Sequence, residues 1–194
     1  MREDVSNKTD EEIIILIQSG KIESFGTIIS RYEDRIKRYA WKFLSDGEDI
    51  NDVVQDVFIK AYTNIQSFDV KRKFSSWIFR IAHNELINTL KKRKKKSLPI
   101  FNLDIFFPQH LPNINNDLNQ QIDRRNIEKM INETLDQVEG KYREPIILYY
   151  LEDLTYKEIA DVMEIPISTV GIRIKRAKEI MQLILKKSGY VYEQ

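Results

Sequence analysis

Apolar residues recur at every third or fourth position along most of the chain, which is the spacing of one face of an α-helix. The segment at residues 50–61 shows this most clearly, because its polar residues fall on the other faces. Its apolar stripe consists of Ile50, Val53, Val54, Val57, Phe58 and Ala61. Strand-like alternation of apolar and polar residues is nowhere long enough to predict a sheet. The pattern therefore predicts an all-α fold.

The first half of the chain carries three further helical patterns. They cover about residues 10–20, 22–44 and 75–96. Thr9 or Asp10 is placed to cap the first of them, since both side chains accept hydrogen bonds from the free N–H groups at a helix start. The last buries Trp77 and its apolar neighbours and ends in an uninterrupted run of Lys and Arg. A basic, turn-like loop at residues 67–73 precedes that helix.

Residues 97–119 interrupt the helical pattern. They contain three Pro and five Asn and show no sustained periodicity, which is typical of a linker, although several large apolar residues lie among them. Helical spacing resumes near Asp123 and continues to about residue 187. We therefore predict two small helical domains joined by a flexible linker. The predicted ranges are 1–96 for the first domain, 97–122 for the linker and 123–194 for the second domain.

The second domain contains the strongest local signal, at residues 155–181. Thr155 and Glu158 form a capping box for a short helix, and the following turn ends at Pro166, which a helix interior does not accept. Ser168 or Thr169 is placed to cap a second helix. Opposite its apolar stripe, that helix carries Arg173, Lys175, Arg176 and Lys178. This arrangement predicts a DNA-binding helix-turn-helix, with an ordinary basic helical hairpin as the alternative.

Charge is segregated along a chain whose formal net charge is only +1. Residues 71–96 contain ten Lys or Arg against one Glu, and residues 165–194 contain six against two. Residues 97–164 compensate with thirteen Asp or Glu against six Lys or Arg. Two separate basic segments indicate two contacts with a polyanion, of which DNA is the usual one. Either segment alone is also explained by an ordinary solvated helix face.

Composition excludes several classes of protein. The chain has no Cys, so it has neither a disulfide framework nor a thiol nucleophile, and it suits a reducing compartment. His83 and His110 are its only histidines, and no metal-ligand or phosphate-loop spacing accompanies them. The chain start is polar, and the nearby apolar run at residues 13–17 is too short to cross a bilayer. We expect a cytoplasmic protein that is not an enzyme, needs no cofactor or metal and does not insert into a membrane.

Two ordered sets of residues resemble the extracytoplasmic-function group of bacterial sigma factors. In the first domain the matching residues are Asp49, Ile50, Asp52 to Phe58, Phe74, Ser76 to Ile78, Arg80 to Ala82 and Asn84. In the second they are Tyr142 to Glu144, Leu148 to Leu151, Leu154 to Tyr156, Ile159, Ala160, Ser168 to Val170, Arg173, Arg176 and Ala177. The resemblance covers roughly residues 25–187, and the order of the two sets makes it specific.

The resemblance implies an alternative sigma factor that directs core RNA polymerase to promoter DNA and helps to open the −10 element. Its implied partners are the beta and beta-prime subunits of the polymerase, promoter DNA and an anti-sigma factor. The implied polymerase-binding residues are Asp49, Asp52, Val53, Gln55 and Asp56. The implied −10 residues, in a loop that captures an unpaired base and the helix after it, are Phe68, Lys71, Arg72, Lys73, Phe74, Arg80 and Asn84. The implied −35 residues are Ser168, Thr169, Gly171, Ile172, Arg173, Lys175 and Arg176.

Elementary chemistry agrees with these assignments without requiring them. An acidic, hydrogen-bonding helix face suits a basic protein surface, but a solvated face has the same pattern. Aromatic residues and cations in one loop can hold an unpaired base, while Phe74 and Trp77 are equally explained as core residues. A final basic run neutralises phosphate without selecting a sequence, or it is a solubilising helix end. This run is Lys91, Lys92, Arg93, Lys94 and Lys95.

Several positions depart from the family's pattern. Glu164 stands where the family usually has Gly, and Pro145 replaces an aliphatic residue. Gly171 and Ile172 replace a basic or polar pair. Gly171 either permits close approach of a phosphate backbone or is a tolerated loss of about 1 kcal/mol of helix stability. These departures leave the predicted fold intact but make the −35 sequence hard to predict.

Two other classes of protein compete with this interpretation. A free-standing repressor or activator would combine a helix-turn-helix with a sensor domain and would bind two half-sites as a dimer. It does not explain the acidic helix or the first basic segment. A helical nuclease is the enzymatic alternative, and metal-dependent DNA cleavage would identify it.

Overall fold

The computed structural model describes residues 7–96 and 121–188, and both ranges are helical without a strand. The all-α prediction is confirmed over these ranges. The predicted linker at residues 97–122 lies outside the described residues up to residue 120, and its last two residues belong to a helix. Side chains are described up to residue 93 in the first range and from residue 129 in the second.

Each range contains four α-helices. Those of the first are α1 (Asp10–Gln18), α2 (Phe25–Trp41), α3 (Gly47–Asn64) and α4 (Phe74–Lys96). Those of the second are α5 (Gln121–Asp136), α6 (Gly140–Tyr150), α7 (Tyr156–Met163) and α8 (Ile167–Lys187). The helix predicted at residues 22–44 is instead a 3₁₀ turn, Ile22–Ser24, followed by α2. A second 3₁₀ turn, Ile65–Ser67, leads into the basic loop.

Side-chain caps fix where two of these helices begin. Thr9, rather than Asp10, caps α1, and it forms a reciprocal capping box with Glu12. Asp46 caps α3 by accepting a hydrogen bond from the backbone N–H of Glu48. Asp10 has another role, because its carboxylate pairs with Arg31 of α2 at 2.7 Å.

Aromatic residues that pack edge to face form part of the core of the first domain. Phe74, at the start of α4, is fully buried, and its ring meets that of Tyr32 at a centroid distance of 5.4 Å and 81°. Phe68 meets Phe74 at 5.6 Å and 90°. Such pairs contribute beyond the apolar area that they bury. The backbone N–H of Phe74 also donates to Glu11 Oε1 at 2.8 Å, which ties the start of α4 to α1.

The two domains pack against each other, with α4 lying against α7. The apolar core of the first domain continues into Ile159, Val162 and Met163 of α7. At the other end of the contact, the buried Arg143 guanidinium donates to the Lys42 carbonyl at 2.6 Å. Apolar packing and polar contacts therefore both join the domains in this structure.

Within residues 7–96 and 121–188, no helix is both long enough and apolar enough to cross a membrane.

Candidate protein and nucleic-acid interfaces

Helices α7 and α8 form the predicted helix-turn-helix. The Thr155–Glu158 capping box begins α7, and Glu164 ends it in the left-handed conformation at φ 54°. Pro166 precedes α8, which begins at Ile167 without a side-chain cap. The prediction that Ser168 or Thr169 caps this helix is therefore wrong, because both residues already lie in its first turn.

The predicted −35 residues lie along the first half of α8. Val170, Ile174 and Ala177 are buried against the rest of the domain. Ile172 is 68% exposed. The exposed positions of the predicted set are Ser168, Ile172, Lys175 and Arg176, and the half-buried ones are Thr169, Gly171 and Arg173. Arg176 pairs with Glu179 at 3.1 Å.

Gly171 faces α7 rather than open solvent. A Cβ atom at this position would lie 3.6 Å from the Tyr156 ring, an ordinary van der Waals distance. Gly171 is therefore half-buried against this helix. Nothing in this packing requires glycine, so the residue lowers helix stability without a steric reason inside the chain.

The acidic face of α3 carries most of the predicted polymerase-binding residues. Asp52, Gln55 and Asp56 are exposed on it. Asp49 is half-buried and is paired with Arg93 of α4. Val53 is 1% exposed and packs in the core, so its side chain is not available to a partner in this structure.

A surface groove of about 570 Å³ adjoins this acidic face between α2 and α3. Its walls are mainly apolar, and Gln55 lies on its rim. The apolar lining residues are Phe25, Ile29, Val54, Phe58, Ile59 and Tyr62. Ile59 is 52% exposed and Tyr62 45%. Sequence reasoning missed the groove, although Ile59 and Tyr62 lie off the buried stripe of α3 and were a signal for it.

The basic loop between α3 and α4 places its aromatic and charged residues in different environments. Phe68 and Phe74, predicted to contact a base, are buried, and Trp77 packs on both rings at centroid distances of 5.1 and 5.5 Å. Neither phenyl ring offers a free face in this structure. Lys71, Arg72 and Lys73 are exposed. The loop therefore exposes its cations to solvent, while its aromatic residues are packed in the core.

The exposed cations of this loop face carboxylates of α7. Arg72 Nη2 lies 3.0 Å from Asp161 Oδ2, and Lys73 Nζ lies 3.5 Å from Glu158 Oε1. Further along α4, Arg80 Nη2 lies 2.7 Å from Glu164 Oε1. The three carboxylates follow one another at three-residue intervals and form one face of the helix end. This set, Glu158, Asp161 and Glu164, is called the acidic stripe below.

A second groove, of about 540 Å³, runs along the adjacent face of α4. Asn84, predicted to contact the −10 element, lines it. The other polar or aromatic residues that line it are Lys60, Asn64, Ser67, Trp77, Glu85, Asn88 and Lys91. Sequence reasoning missed Asn64 and Asn88, but the spacing of 77, 81, 84, 88 and 91 was a signal, since it defines one helix face.

The basic run at the end of α4 is only partly described. Lys91 and Lys92 are exposed. Arg93 is half-buried and pairs with Asp49 and, at 3.8 Å, with Asp46. Lys94 and Lys95 lie within α4, but their side chains are outside the described set. The first two lysines are therefore placed to reach phosphate, while Arg93 has a partner within the chain.

A buried polar cluster lies between the two domains. Glu144, 6% exposed, accepts a hydrogen bond from the Tyr39 hydroxyl, and one of its oxygens lies 2.6 Å from His83 Nδ1. Burial alone would lower the pKa of His83, but the hydrogen bond and the negative charge of Glu144 outweigh it and raise that pKa. Nearby, Arg35 Nε donates to Glu152 Oε2 at 2.9 Å, and burial raises the pKa of Glu152.

The raised pKa of His83 gives a measurable expectation. The His83–Glu144 pair stabilises the domain contact fully below the ordinary histidine pKa, and this contribution is lost as the pH rises through the raised value. An NMR titration should give the His83 imidazole a pKa above that of an ordinary histidine. In Glu144→Gln the pKa of His83 should fall, because the hydrogen bond and the negative charge that raise it are lost. An unchanged His83 titration would contradict the pairing.

The two domains match two known protein families, in the same order along the chain. Sigma-70 region 2 matches residues 28–96, and Sigma-70 region 4 matches residues 128–181. The ECF RNA polymerase sigma factor SigW of Bacillus subtilis is 30% identical over 184 residues, covering 88% of this chain and 93% of the relative. The ECF RNA polymerase sigma-E factor of Haemophilus influenzae is 32% identical over 181 residues, covering 90% and 94%.

Solved structures share the fold. One is CnrH in complex with the cytosolic domain of CnrY, with a TM-score of 0.66, 24% identity, and coverage of 92% of this chain and 97% of that one. Another is the sigma factor RpoE of Bartonella quintana in complex with the anti-sigma factor NepR, with a TM-score of 0.63, 23% identity, and coverage of 84% and 98%.

A region 2 domain followed by a region 4 helix-turn-helix defines the class of sigma-70-type transcription initiation factors. Within that class, the chain belongs to the ECF RNA polymerase sigma factors. It directs RNA polymerase to promoters, and it contributes recognition rather than catalysis. The family assignment decides against both the free-standing repressor and the nuclease.

Proposed function

We propose that the chain performs this function with three separate surfaces. The acidic face of α3 and its apolar groove bind the polymerase, the loop and α4 bind and open the −10 element, and α8 reads the −35 element. The observation that carries the proposal is the chemical difference between neighbouring surfaces. An acidic, partly apolar face and two basic helices cannot all suit the same partner.

The polymerase surface combines charge with apolar area. Asp52 and Asp56 are exposed one helical turn apart, so both can meet a basic patch on the beta-prime subunit. The groove beside them supplies apolar surface that a helix can fill. Asp49 is better placed to hold the end of α4 through Arg93 than to bind the polymerase. The Val53 side chain instead packs in the core of the first domain.

The −10 surface uses cations and an amide-lined groove. Phe68 and Phe74 brace the loop from within, while Lys71, Arg72 and Lys73 meet the phosphates of the displaced strand. We assign an unpaired base of the displaced strand to the second groove, whose volume of about 540 Å³ lies in the range of small-molecule binding sites. Asn84 and Asn88 can hydrogen-bond base edges there, because an amide both donates and accepts.

The two basic helices differ in what they can read. The run from Lys91 onward neutralises phosphate, so it adds affinity that falls with salt and carries no sequence information. Arg173 and Arg176 lie in the first half of α8, and the N-terminal part of a recognition helix reaches base edges in the major groove. Ile172, which precedes both arginines and is exposed, can contact a thymine methyl group.

This division of labour predicts different mutant behaviour in −35 binding. Arg173→Ala and Arg176→Ala should each relax discrimination at one or two base pairs, at a cost of about 1–3 kcal/mol if the contact is bidentate to guanine. Lys94→Gln with Lys95→Gln should weaken binding to all sequences and flatten the salt slope. Holoenzyme binding to a set of −35 variants at several salt concentrations measures both. Identical base preferences and salt slopes for the two sets would contradict the assignment.

The domain ranges and the remaining partners belong to the same proposal. We assign residues 1–96 to region 2, 97–122 to a linker and 123–194 to region 4. The described helices lie within 10–96 and 121–187, so α5 begins two residues before the last of these boundaries. An anti-sigma factor is a further partner, and the cytoplasm is the expected location. Sigma factors of the same fold solved with anti-sigma proteins support the first of these.

Run-off transcription with core polymerase and a promoter library tests the whole proposal. The wild-type chain should select a subset of promoters that share a −10 and a −35 motif. Core polymerase without the chain is the control. Failure of the chain to produce any selective transcript would overturn the proposed promoter function.

A further inference from the structure

We propose that Glu85 makes the second groove selective for an unpaired base that carries an exocyclic amine, and that Lys60 positions Glu85 for this role. The inference rests on the promoter function proposed above and names the chemical class of base that its −10 surface takes. Among the described residues that line the groove, Glu85 is the one carboxylate. The others are lysines, asparagines, a serine and apolar side chains.

Glu85 lies at the floor of the groove. It belongs to α4 and lines the groove although it is only 7% exposed. Its Oε1 lies 2.5 Å from Nζ of Lys60 on α3, whose side chain is half exposed. A buried carboxylate without a partner is costly, so Lys60 offsets the cost of burying this charge. The ion pair therefore holds an acceptor in a fixed place below the exposed groove walls.

The second oxygen of Glu85 is open to a ligand. Among the residues that the structure describes, Lys60 bonds Oε1 and no donor bonds Oε2. No buried side-chain nitrogen or oxygen of these residues lacks a hydrogen-bond partner. Oε2 is therefore not sealed from solvent, and the groove that Glu85 lines is the space through which it is reached. A donor that enters the groove can bond to it.

A carboxylate at this place favours a base over a phosphate. Glu85 repels a phosphate group, which the exposed Lys91 on the same groove can attract instead. Carboxylates accept hydrogen bonds from base amines, as Glu and Asp do from the N4 amine of cytosine in duplex DNA. An unpaired base exposes such an amine on its Watson–Crick edge.

Base chemistry separates thymine from the other three bases. Cytosine, adenine and guanine each carry an exocyclic amine that projects from the ring and donates hydrogen bonds. Thymine has no amine, and its ring N–H lies between two carbonyl oxygens that a carboxylate repels. Glu85 should therefore favour an amine-bearing base over thymine at the −10 position that enters the groove.

Other residues of the groove complete a site for a base. Trp77 is half-buried and lines the groove, and unpaired bases stack on aromatic side chains of this kind. Asn84 and Asn88 are exposed, and within the described part of the chain their amides have no hydrogen-bond partner. Both can therefore meet the remaining donors and acceptors of a base edge. Glu85 adds the one acceptor that carries a charge.

An ion pair that only tied α3 to α4 would have different consequences. Its loss would lower the unfolding temperature and weaken the binding of all bases alike. Selection by Glu85 instead makes the effect depend on a single amine of a single base. A ratio of two affinities, measured within one variant, cancels any general effect on the fold and isolates this dependence.

The experiment measures binding of holoenzyme to a pre-melted promoter. The template is a bubble form of a promoter selected in the run-off assay, with bases changed one at a time at the unpaired positions of its −10 element. Each amine-bearing base is compared with an analogue that lacks only the amine. The pairs are cytosine and pyrimidin-2-one, adenine and purine, and guanine and hypoxanthine. Together these pairs also identify which base the groove takes.

The test variant is Glu85→Met, which removes the acceptor and places a flexible apolar side chain in the buried position. The matched control, Glu23→Met, makes the same change at an exposed residue of the Ile22–Ser24 turn, which does not line the groove. Net charge changes equally in the two variants. Thermal unfolding compares their stability with that of the wild-type chain.

Wild-type holoenzyme should bind the amine-bearing base about tenfold more tightly than its analogue at one −10 position. In Glu85→Met this preference should disappear, while Glu23→Met should keep it. Equal binding of base and analogue by the wild type, for all three pairs, would overturn the proposal. A wild-type preference in Glu85→Met would overturn it as well, whatever the loss of overall affinity.

Lys60 has its own expectation as a positioning residue. Lys60→Met removes the partner of Glu85 and should reduce the preference for the amine. Lys60→Arg, which can still hold a carboxylate, should restore it. If Lys60→Met weakens all templates alike and leaves the preference unchanged, Lys60 has only a structural role and this part of the proposal is wrong.

The same templates separate this inference from the promoter function. If wild-type holoenzyme shows no preference between the four bases at any unpaired −10 position, the proposed −10 surface is wrong. If the holoenzyme prefers certain bases and this preference does not depend on Glu85, only the selection by Glu85 is wrong.

Discussion

The Asp52→Arg, Asp56→Arg double variant is expected to bind core RNA polymerase about 100-fold more weakly than the wild-type chain. Both carboxylates are exposed on α3, so reversing them turns an attraction to a basic surface into a repulsion. Like charges opposed across an interface cost several kcal/mol, and about 2.7 kcal/mol corresponds to 100-fold. Competition with a labelled wild-type chain for core polymerase measures the effect.

The matched control reverses two acidic residues outside the proposed surface, Glu133→Arg and Glu139→Arg. Its net charge changes by the same amount, so a general charge effect would weaken both variants alike. Among the residues that the structure describes, neither Asp52 nor Asp56 forms an ion pair, so the double variant should keep the wild-type unfolding temperature. If it competes as well as wild type, the acidic face of α3 is not the polymerase surface.

Local sequence signals predicted the helices well because they depend on neighbouring residues. The capping boxes at Thr9 and Thr155 each need only a residue three positions away, and both are formed. The start of α8 was predicted two or three residues late for a related reason. Ser168 and Thr169 are good capping residues, but the left-handed turn at Glu164 and the fixed φ of Pro166 bring the chain into the helix earlier.

Side-chain environment was harder to predict than helix position. Phe68 and Phe74 flank a basic loop, a pattern that fits both a stacking surface and a buried brace. Phe74 packs against Tyr32, more than 35 positions earlier in the chain, and this contact identifies a buried brace. Val53 illustrates the same problem on α3, since it lies between acidic residues but points inward. Hydrophobic spacing gives a helix face without saying which neighbours cover it.

The contacts between the domains could not be predicted from the sequence at all. Arg35 and Glu152 are 117 residues apart, and Tyr39 and Glu144 are 105 apart. No local pattern links such positions. The departure at Glu164 was visible as an unusual residue, but its partner Arg80 was not. A family pattern shows which residue is unexpected, and the tertiary contact gives the physical reason.

The second large effect is expected in promoter opening. Replacing residues 69–73 with Gly and Ser should leave polymerase association intact and abolish permanganate reactivity of −10 thymines on a duplex promoter. The reason is that the loop supplies the cations that hold the displaced strand, while the polymerase surface lies on α3. A pre-melted bubble template should partly restore transcription, since the strand is then already separated.

A second variant separates charge from loop conformation. This triple variant combines Lys71→Gln, Arg72→Gln and Lys73→Gln. It removes the cations but keeps the turn, in which the Asp69 carboxylate accepts a hydrogen bond from the Lys71 N–H at 3.0 Å. If charge is responsible, this variant should fail to open duplex promoters as the Gly/Ser loop does. If only the loop replacement fails, the conformation of the turn matters and the cations are dispensable.

The same cations also pair with the acidic stripe, so the two loop variants should affect free chain and holoenzyme in opposite ways. Losing Arg72 and Lys73 removes two contacts to α7, and the free chain should therefore open more readily. If the polymerase holds the domains apart, only the loss of strand binding remains in the holoenzyme. Energy transfer between fluorophores placed on the two domains should then fall in the free variant, while promoter opening is lost in the holoenzyme. A variant that opens duplex promoters at the wild-type rate would show that the loop is only a connector between α3 and α4.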